Sequence, residues 1–237
     1  MSATFGSLQT KISTKLIDAG QTAVSASNVA DAINDALHFW KFRRFWFNER
    51  QVTLTMDIND PFIFMYNQGN SNYPAAPLLP QLFLYEFPED GFVIYYNQLR
   101  YVMEKKAPRV FDIHTVGGIT GPAGTPSGSG LGLPFMYTFR NQAYEFYFYP
   151  NLNYSMVVNY ITDYVDLVNP GDTNDFTNYA DRVLLYEALS HLYGENRQDE
   201  QQEGTYFSKA EREYQNLKMR GFQQQETGSL TIETILA

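Results

Sequence analysis

Ser27–Phe47, SNVADAINDALHFWKFRRFWF, is the stretch on which the reading of the fold turns. Ser27 or Asn28 offers a short side-chain oxygen to the orphan amide hydrogens of a first helical turn, so a helix is expected to start there. Val29, Ile33, Leu37 and Trp40 follow at spacings of four, four and three, on one helical face. Asp31, Asn34 and Asp35 lie between them and make the first turns wet and acidic, the sign that suits the positive end of a helix dipole. Farther on, Phe39, Trp40, Phe42, Phe45, Trp46 and Phe47 spread aromatic surface nearly all the way round, with Lys41, Arg43 and Arg44 threaded among them. A helix apolar on every side has to be covered on every side. Two arrangements do that. One is a central core helix whose basic residues snorkel outward. The other is a helix between a core and a subunit interface, where aromatics and Arg are enriched, and there Trp40, Phe42, Arg43, Arg44 and Trp46 are the interface residues.

Working outward, Phe5, Leu8, Ile12 and Leu16 predict a short helix from Phe5 to about Asp18, with Gly20 as its stop. The brief link Gln21–Ala26 predicts that this helix and the central one pack as a hairpin. After Arg50 the period changes to two. Strands are expected at Gln51–Met56, Phe62–Tyr66, Leu82–Tyr85, Phe92–Tyr96, Leu99–Met103, Pro134–Arg140, Ala143–Tyr149 and Tyr154–Ile161. Asn97-Gln98 reads as a tight hairpin turn. Tyr144–Pro150 is aromatic on both faces and predicts a central or covered strand. Short turns between successive strands predict an antiparallel meander. Residues 67–80 and the glycine-rich 117–132 read as loops.

A third helix is expected from Phe176 to Tyr193, capped by Asn174 or Asp175, with Ala180, Val183, Leu184, Ala188 and Leu192 inward. A fourth is expected from Asp199 to Arg220, stopped by Gly221. The fold class is therefore α+β: a bundle of about four helices with an inserted antiparallel β region and an extended C-terminal tail. The expected segments are 1–50 and 169–221 for the bundle, 51–168 for the β insertion and 222–237 for the tail. Leu230, Ile232 and Ile235 make the end of that tail apolar, fit to dock on a partner.

Composition narrows the function. The formal net charge is -9, which disfavours gripping nucleic acid, whose affinity rests on Lys and Arg against phosphate. A conduit through which DNA slides without sticking remains compatible. With no cysteine, disulfides, thiolate metal sites and cysteine nucleophiles are excluded. No apolar run approaches the ~20 residues of a membrane span, and the N-terminus lacks the apolar core of a secretory signal. His38, His114 and His191 are the only histidines, and no two have zinc-ligand spacing. No Gly-x-Ser-x-Gly elbow and no phosphate-binding Gly-Lys-Ser/Thr occurs. Asp57–Asp60 and Asp172–Asp175 lack a calcium loop's terminal Glu. No catalytic, cofactor or metal residue emerges. Besides a structural role, a carbohydrate- or ligand-binding β module is the alternative, given the many Tyr and Phe.

The order of landmarks resembles the head-to-tail connector adaptors of tailed bacteriophages, of the podovirus, tail-tubular-A-like kind. Thr4-Phe5-Gly6-Ser7-Leu8 opens it, and Val29–Ala36 running into Phe45-Trp46-Phe47-Asn48-Glu49 continues it. Tyr85-Glu86-Phe87-Pro88-Glu89-Asp90 looks like the family's Tyr-x-Leu-Pro-x-Asp, with Phe in place of Leu. Gly132-Leu133-Pro134-Phe135-Met136-Tyr137 looks like its Gly-x-Pro-x-x-Tyr. The resemblance implies a virion protein of the head–tail junction, made in the host bacterial cytoplasm. Its copies would form a ring, usually a dodecamer, between the portal and the tail nozzle or tube. DNA would pass through the channel without specific binding. The resemblance also implies that the C-terminal segment, with Leu230, Ile232 and Ile235, climbs onto the portal.

Overall fold

The computed structural model describes residues 3–18, 24–65, 77–115, 131–195 and 198–229. Helices α1 (Phe5–Asp18) and α2 (Ala26–Trp40) come first. Then come β1 (Glu49–Met56), β2 (Phe62–Phe64), β3 (Phe83–Glu86), β4 (Phe92–Tyr96), β5 (Leu99–Val102) and β6 (Glu104–Lys105). Helix α3 (Pro108–Thr115) precedes β7 (Leu131–Gly132), β8 (Met136–Arg140), β9 (Ala143–Tyr147), β10 (Tyr149–Pro150) and β11 (Tyr154–Thr162). The chain closes with α4 (Asp175–Tyr179), α5 (Asp181–Glu195) and α6 (Glu200–Ser229). Two compact units result: residues 1–48 with 163–237, and residues 49–162. The fold is α+β. The β unit starts two residues before the expected Gln51, and residues 163–168 belong with the helices rather than with the β segment.

In the helical unit the periodic residues are the buried ones. Phe5, Leu8, Ile12 and Leu16 of α1, and Val29, Ile33, Leu37 and Trp40 of α2, join one core with Val183, Leu184, Ala188 and Leu192 of α5. Each such aliphatic side chain stabilises the unit by about 1.5–3 kcal/mol through removal from water. The N-cap of α2 is Ser25, two residues before the expected Ser27, and its side chain accepts the Asn28 N–H. Asn174 caps α4 through a reciprocal pair with Thr177. The expected third helix is two, broken at Ala180.

The larger correction concerns the end of α2. The helix stops at Trp40 instead of running to Phe47. Continued, it would have turned some of Phe45, Trp46 and Phe47 to water. Folded back as turns, the chain lays all three on α4: Phe45 and Phe47 each meet Phe176 at 5.2 Å, and Trp46 meets Tyr179 at 4.8 Å. Asn48, fully buried, pins the turn by accepting the Phe45 N–H at 2.8 Å and donating to the Arg43 carbonyl at 2.9 Å. A buried polar group is stable only when satisfied in this way.

Helix α6 also departs from expectation. It runs on to Ser229, so Gly221 is inside the helix, and residues 222–229 are helical backbone rather than extended tail. The reason for a glycine at 221 is close approach: a Cβ there would sit 3.1 Å from Cδ1 of Trp46. Leu230, Ile232 and Ile235 lie outside the described residues, as do Gly20, residues 66–76 and 116–130.

In the β unit the strands do not form a simple meander. The larger sheet has the order β1-β11-β4-β5, with β3 also paired to β11. The last strand thus lies inside, antiparallel to the first. The smaller sheet runs β2-β9-β8-β6, its β6 and β8 parallel. Among the described residues, only β4–β5 and β8–β9 are tight hairpins of sequence neighbours. Both turn on Asn-Gln, and Asn97, Gln98, Asn141 and Gln142 all have φ between 50° and 65°, the primed-turn geometry that matches strand twist. Every residue of β9 is buried, as its two aromatic faces predict. The ends of two expected loops are structured. Leu79 is core, and Leu131–Gly132 pair with β10.

Candidate functional site

The aromatic–basic stretch that suggested an interface is divided between core and surface. Trp40 is fully buried and its indole N–H donates to Oε2 of Glu187 on α5 at 3.1 Å. Burial raises the Glu187 pKa, opposed by His191 first and then by the Trp40 hydrogen bond and Arg43. Arg43 is spent within its own unit. Its guanidinium lies 4.4 Å from the Trp40 ring and 4.9 Å from that of Tyr214, and Nη1 reaches Glu211 Oε2 on α6 at 3.1 Å. Trp46 is half-buried under α6. Trp40, in the core, has no surface to offer a neighbour. Phe42 and Arg44 are exposed, Phe42 by 58%.

Other parts of this unit are also exposed. Phe39 and Phe207 are exposed and meet edge to face at 6.3 Å, joining α2 to α6. Helix α6 itself spans about 45 Å at 1.5 Å per residue. Among its described side chains, Ala210 is buried, as is Gly221, while most of the rest face water. A cleft of about 210 Å³ between α2 and α5 is lined by Asn28, Asp31, Ala32, Asp35, His191 and Glu195. His38 pairs with Asp166 at 2.7 Å on the surface, and His191 lies 3.6 Å from Glu187.

The β unit holds a second buried carboxylate, which sequence reading did not single out. Glu86 of β3 is 5% exposed and accepts hydrogen bonds from the hydroxyls of Tyr137 on β8, at 3.5 Å, and Tyr144 on β9. Lys105 on β6 pairs with it from the side nearer water. Burial raises both tyrosine pKa values, and the carboxylate beside them raises them further. Glu86 and Tyr137 belong to the two short motifs of the adaptor resemblance. One sheet supplies the acid and the other supplies its donors, so the two motifs meet at a cross-sheet tie. The sequence signal was a lone acid within an otherwise apolar strand, LYEF.

Many of the aromatics that suggested ligand binding are consumed in packing, while Tyr95, Phe135 and Phe139 are exposed. Phe83, Phe92, Tyr137, Tyr144, Phe146 and Tyr160 form the core of the β unit. Among the described residues no cluster of His, Asp and Glu could hold a metal ion, and no helix is long and apolar enough to cross a membrane.

Residues 3–232 match the family model of the SU10 adaptor protein, and the chain belongs to that family. No curated protein matches it in a sequence search. It is a phage adaptor protein, a structural component of the virion.

Proposed function

We propose that this member of the SU10 adaptor family forms a ring, dodecameric by the resemblance, between the portal and the tail. In it the channel passes DNA without binding it, as in connectors of the tail-tubular-A-like kind. The observation that carries the reading is α6: one side of it packs on its own core, while Gln201, Thr205, Ser208 and Arg212 on the other side are exposed. Such a helix face is open to a neighbouring subunit. Exposed Phe42 and Arg44 join the contact surface, and the net charge of -9 suits a channel that DNA leaves freely. The apolar end after α6, with Leu230, Ile232 and Ile235, docks on the portal.

Deletion of residues 228–237 tests the docking. The truncated chain should keep its circular dichroism and melting temperature but no longer cosediment with the portal ring of its own genome. Undiminished cosedimentation would sink the docking role.

A further inference from the structure

The side of α6 that faces away from its own core has a shape and charge of its own. Tyr206, Ala210, Tyr214 and Leu217 turn toward the core. Gln201, Thr205, Ser208 and Arg212, at spacings of four, three and four, therefore lie on the opposite face, and all four are exposed. Gly204 and Lys209 flank them on the same open surface of the helix. Gly204 has no role in the chain's own packing, since a Cβ placed there meets nothing within 4 Å. Yet glycine inside a helix costs about 1 kcal/mol relative to alanine. The helix is therefore open to close approach from outside at this position.

This face is basic through exposed Arg212 and through Lys209, whose ammonium lies 4.5 Å from the Tyr206 ring, and the cleft between α2 and α5 is acidic through Asp31, Asp35 and Glu195. These are two different faces of one unit with opposite charge. We propose that the outer face of α6 docks into the α2–α5 cleft of a second copy of this chain, Lys209 and Arg212 facing the carboxylates. This rests on the ring reading above and names its subunit contact. Used once on each side of every copy, the contact is head-to-tail, the arrangement that a closed ring requires. Complementary charge sets its register and suppresses wrong pairings.

Sedimentation and negative-stain imaging of the full chain, alone and with the portal ring, test it. Lys209→Glu with Arg212→Glu should weaken assembly roughly tenfold or more, and so should Asp31→Lys with Asp35→Lys. All four substitutions in one chain should restore it. Gly204→Leu should raise the melting temperature of the free chain, through better helix propensity, while lowering assembly. If the wild type assembles and these variants assemble equally well, this contact is wrong and the ring stands. If the wild type joins neither itself nor the portal, the ring reading falls and this contact with it.

Discussion

In the helical unit the buried carboxylate, Glu187, takes its hydrogen bond from Trp40 on a neighbouring helix, whereas in the β unit Glu86 takes its bonds from Tyr137 and Tyr144 on two strands of the other sheet. Both acids are almost inaccessible, at 3% and 5%. The two ties differ in how they are assembled. Trp40 lies on the apolar face of α2, but Glu187 is 147 residues away and reaches it only because α5 packs on α2. The partners of Glu86 lie 51 and 58 residues away in sequence. Helix packing places the first tie; strand order places the second. A polar group in a core is held well when every partner is present and is costly when one is missing.

Removing Trp40 should produce the largest effect. Trp40→Ala leaves a cavity beside Arg43 and takes the indole donor from Glu187, at a cost of about 4 kcal/mol. Both tryptophans of the chain, Trp40 and Trp46, belong to the helical unit, so the remaining Trp46 emission can follow its denaturation. A loss below about 2 kcal/mol would mean that the packing of this knot matters less than the fold of α2 alone.

Glu86→Leu should cost the β unit about 3 kcal/mol, because two tyrosine hydroxyls lose their acceptor in a dry interior. Adding Tyr137→Phe and Tyr144→Phe should recover most of that loss, since removing both sides of a buried polar contact is nearly neutral. Hydrogen exchange of β3, β8 and β9 reads the result. If the triple variant is no more stable than Glu86→Leu, the tie is not a closed set and the comparison with Glu187 fails.

The smallest effect concerns pH. Asp60, 7% exposed in the turn before β2, is pushed up to about 6 by burial, against the lowering influence of the Phe62 N–H, and Asp57 adds to the rise. A folded value above the ordinary one means that the folded chain binds the proton more tightly, so stability is greatest at low pH and falls as pH rises through about 4 to 6. Asp60→Asn keeps the acceptor for Phe62 and removes the charge. It should stabilise the chain at pH 7 by on the order of 2 kcal/mol and leave it unchanged near pH 3. Equal melting curves of the two chains at pH 7 would count against a buried charge there.

How far the sequence could be read follows the same division. The inward residues of α1, the first part of α2 and α5 were legible because a helix makes neighbours of residues three and four apart. The interface expected at Trp40, Phe42, Arg43, Arg44 and Trp46 was only partly a surface, because the end of α2 was not legible. Nothing local to Lys41–Phe47 announces that the chain folds back; the aromatic sockets of Phe176 and Tyr179, more than a hundred residues on, decide it. Likewise Gly221 resembled a helix stop, and only Trp46 beneath it explains a glycine within α6. Two motifs holding Glu86 and Tyr137 could be quoted from the sequence, but not their meeting.

By itself the sequence determined the α+β class, the positions of most helices and strands, the inward faces of the helices and the absence of cysteine chemistry. Those properties depend on local period and composition, which a chain carries wherever it goes. Tertiary structure alone decided the strand order that puts β11 inside its sheet, the turn that lays Phe45, Trp46 and Phe47 on α4, the two carboxylate ties and the faces left open on α6 and between α2 and α5. Each of these is a long-range contact, selected by the free energy of the whole fold rather than by the residues on either side.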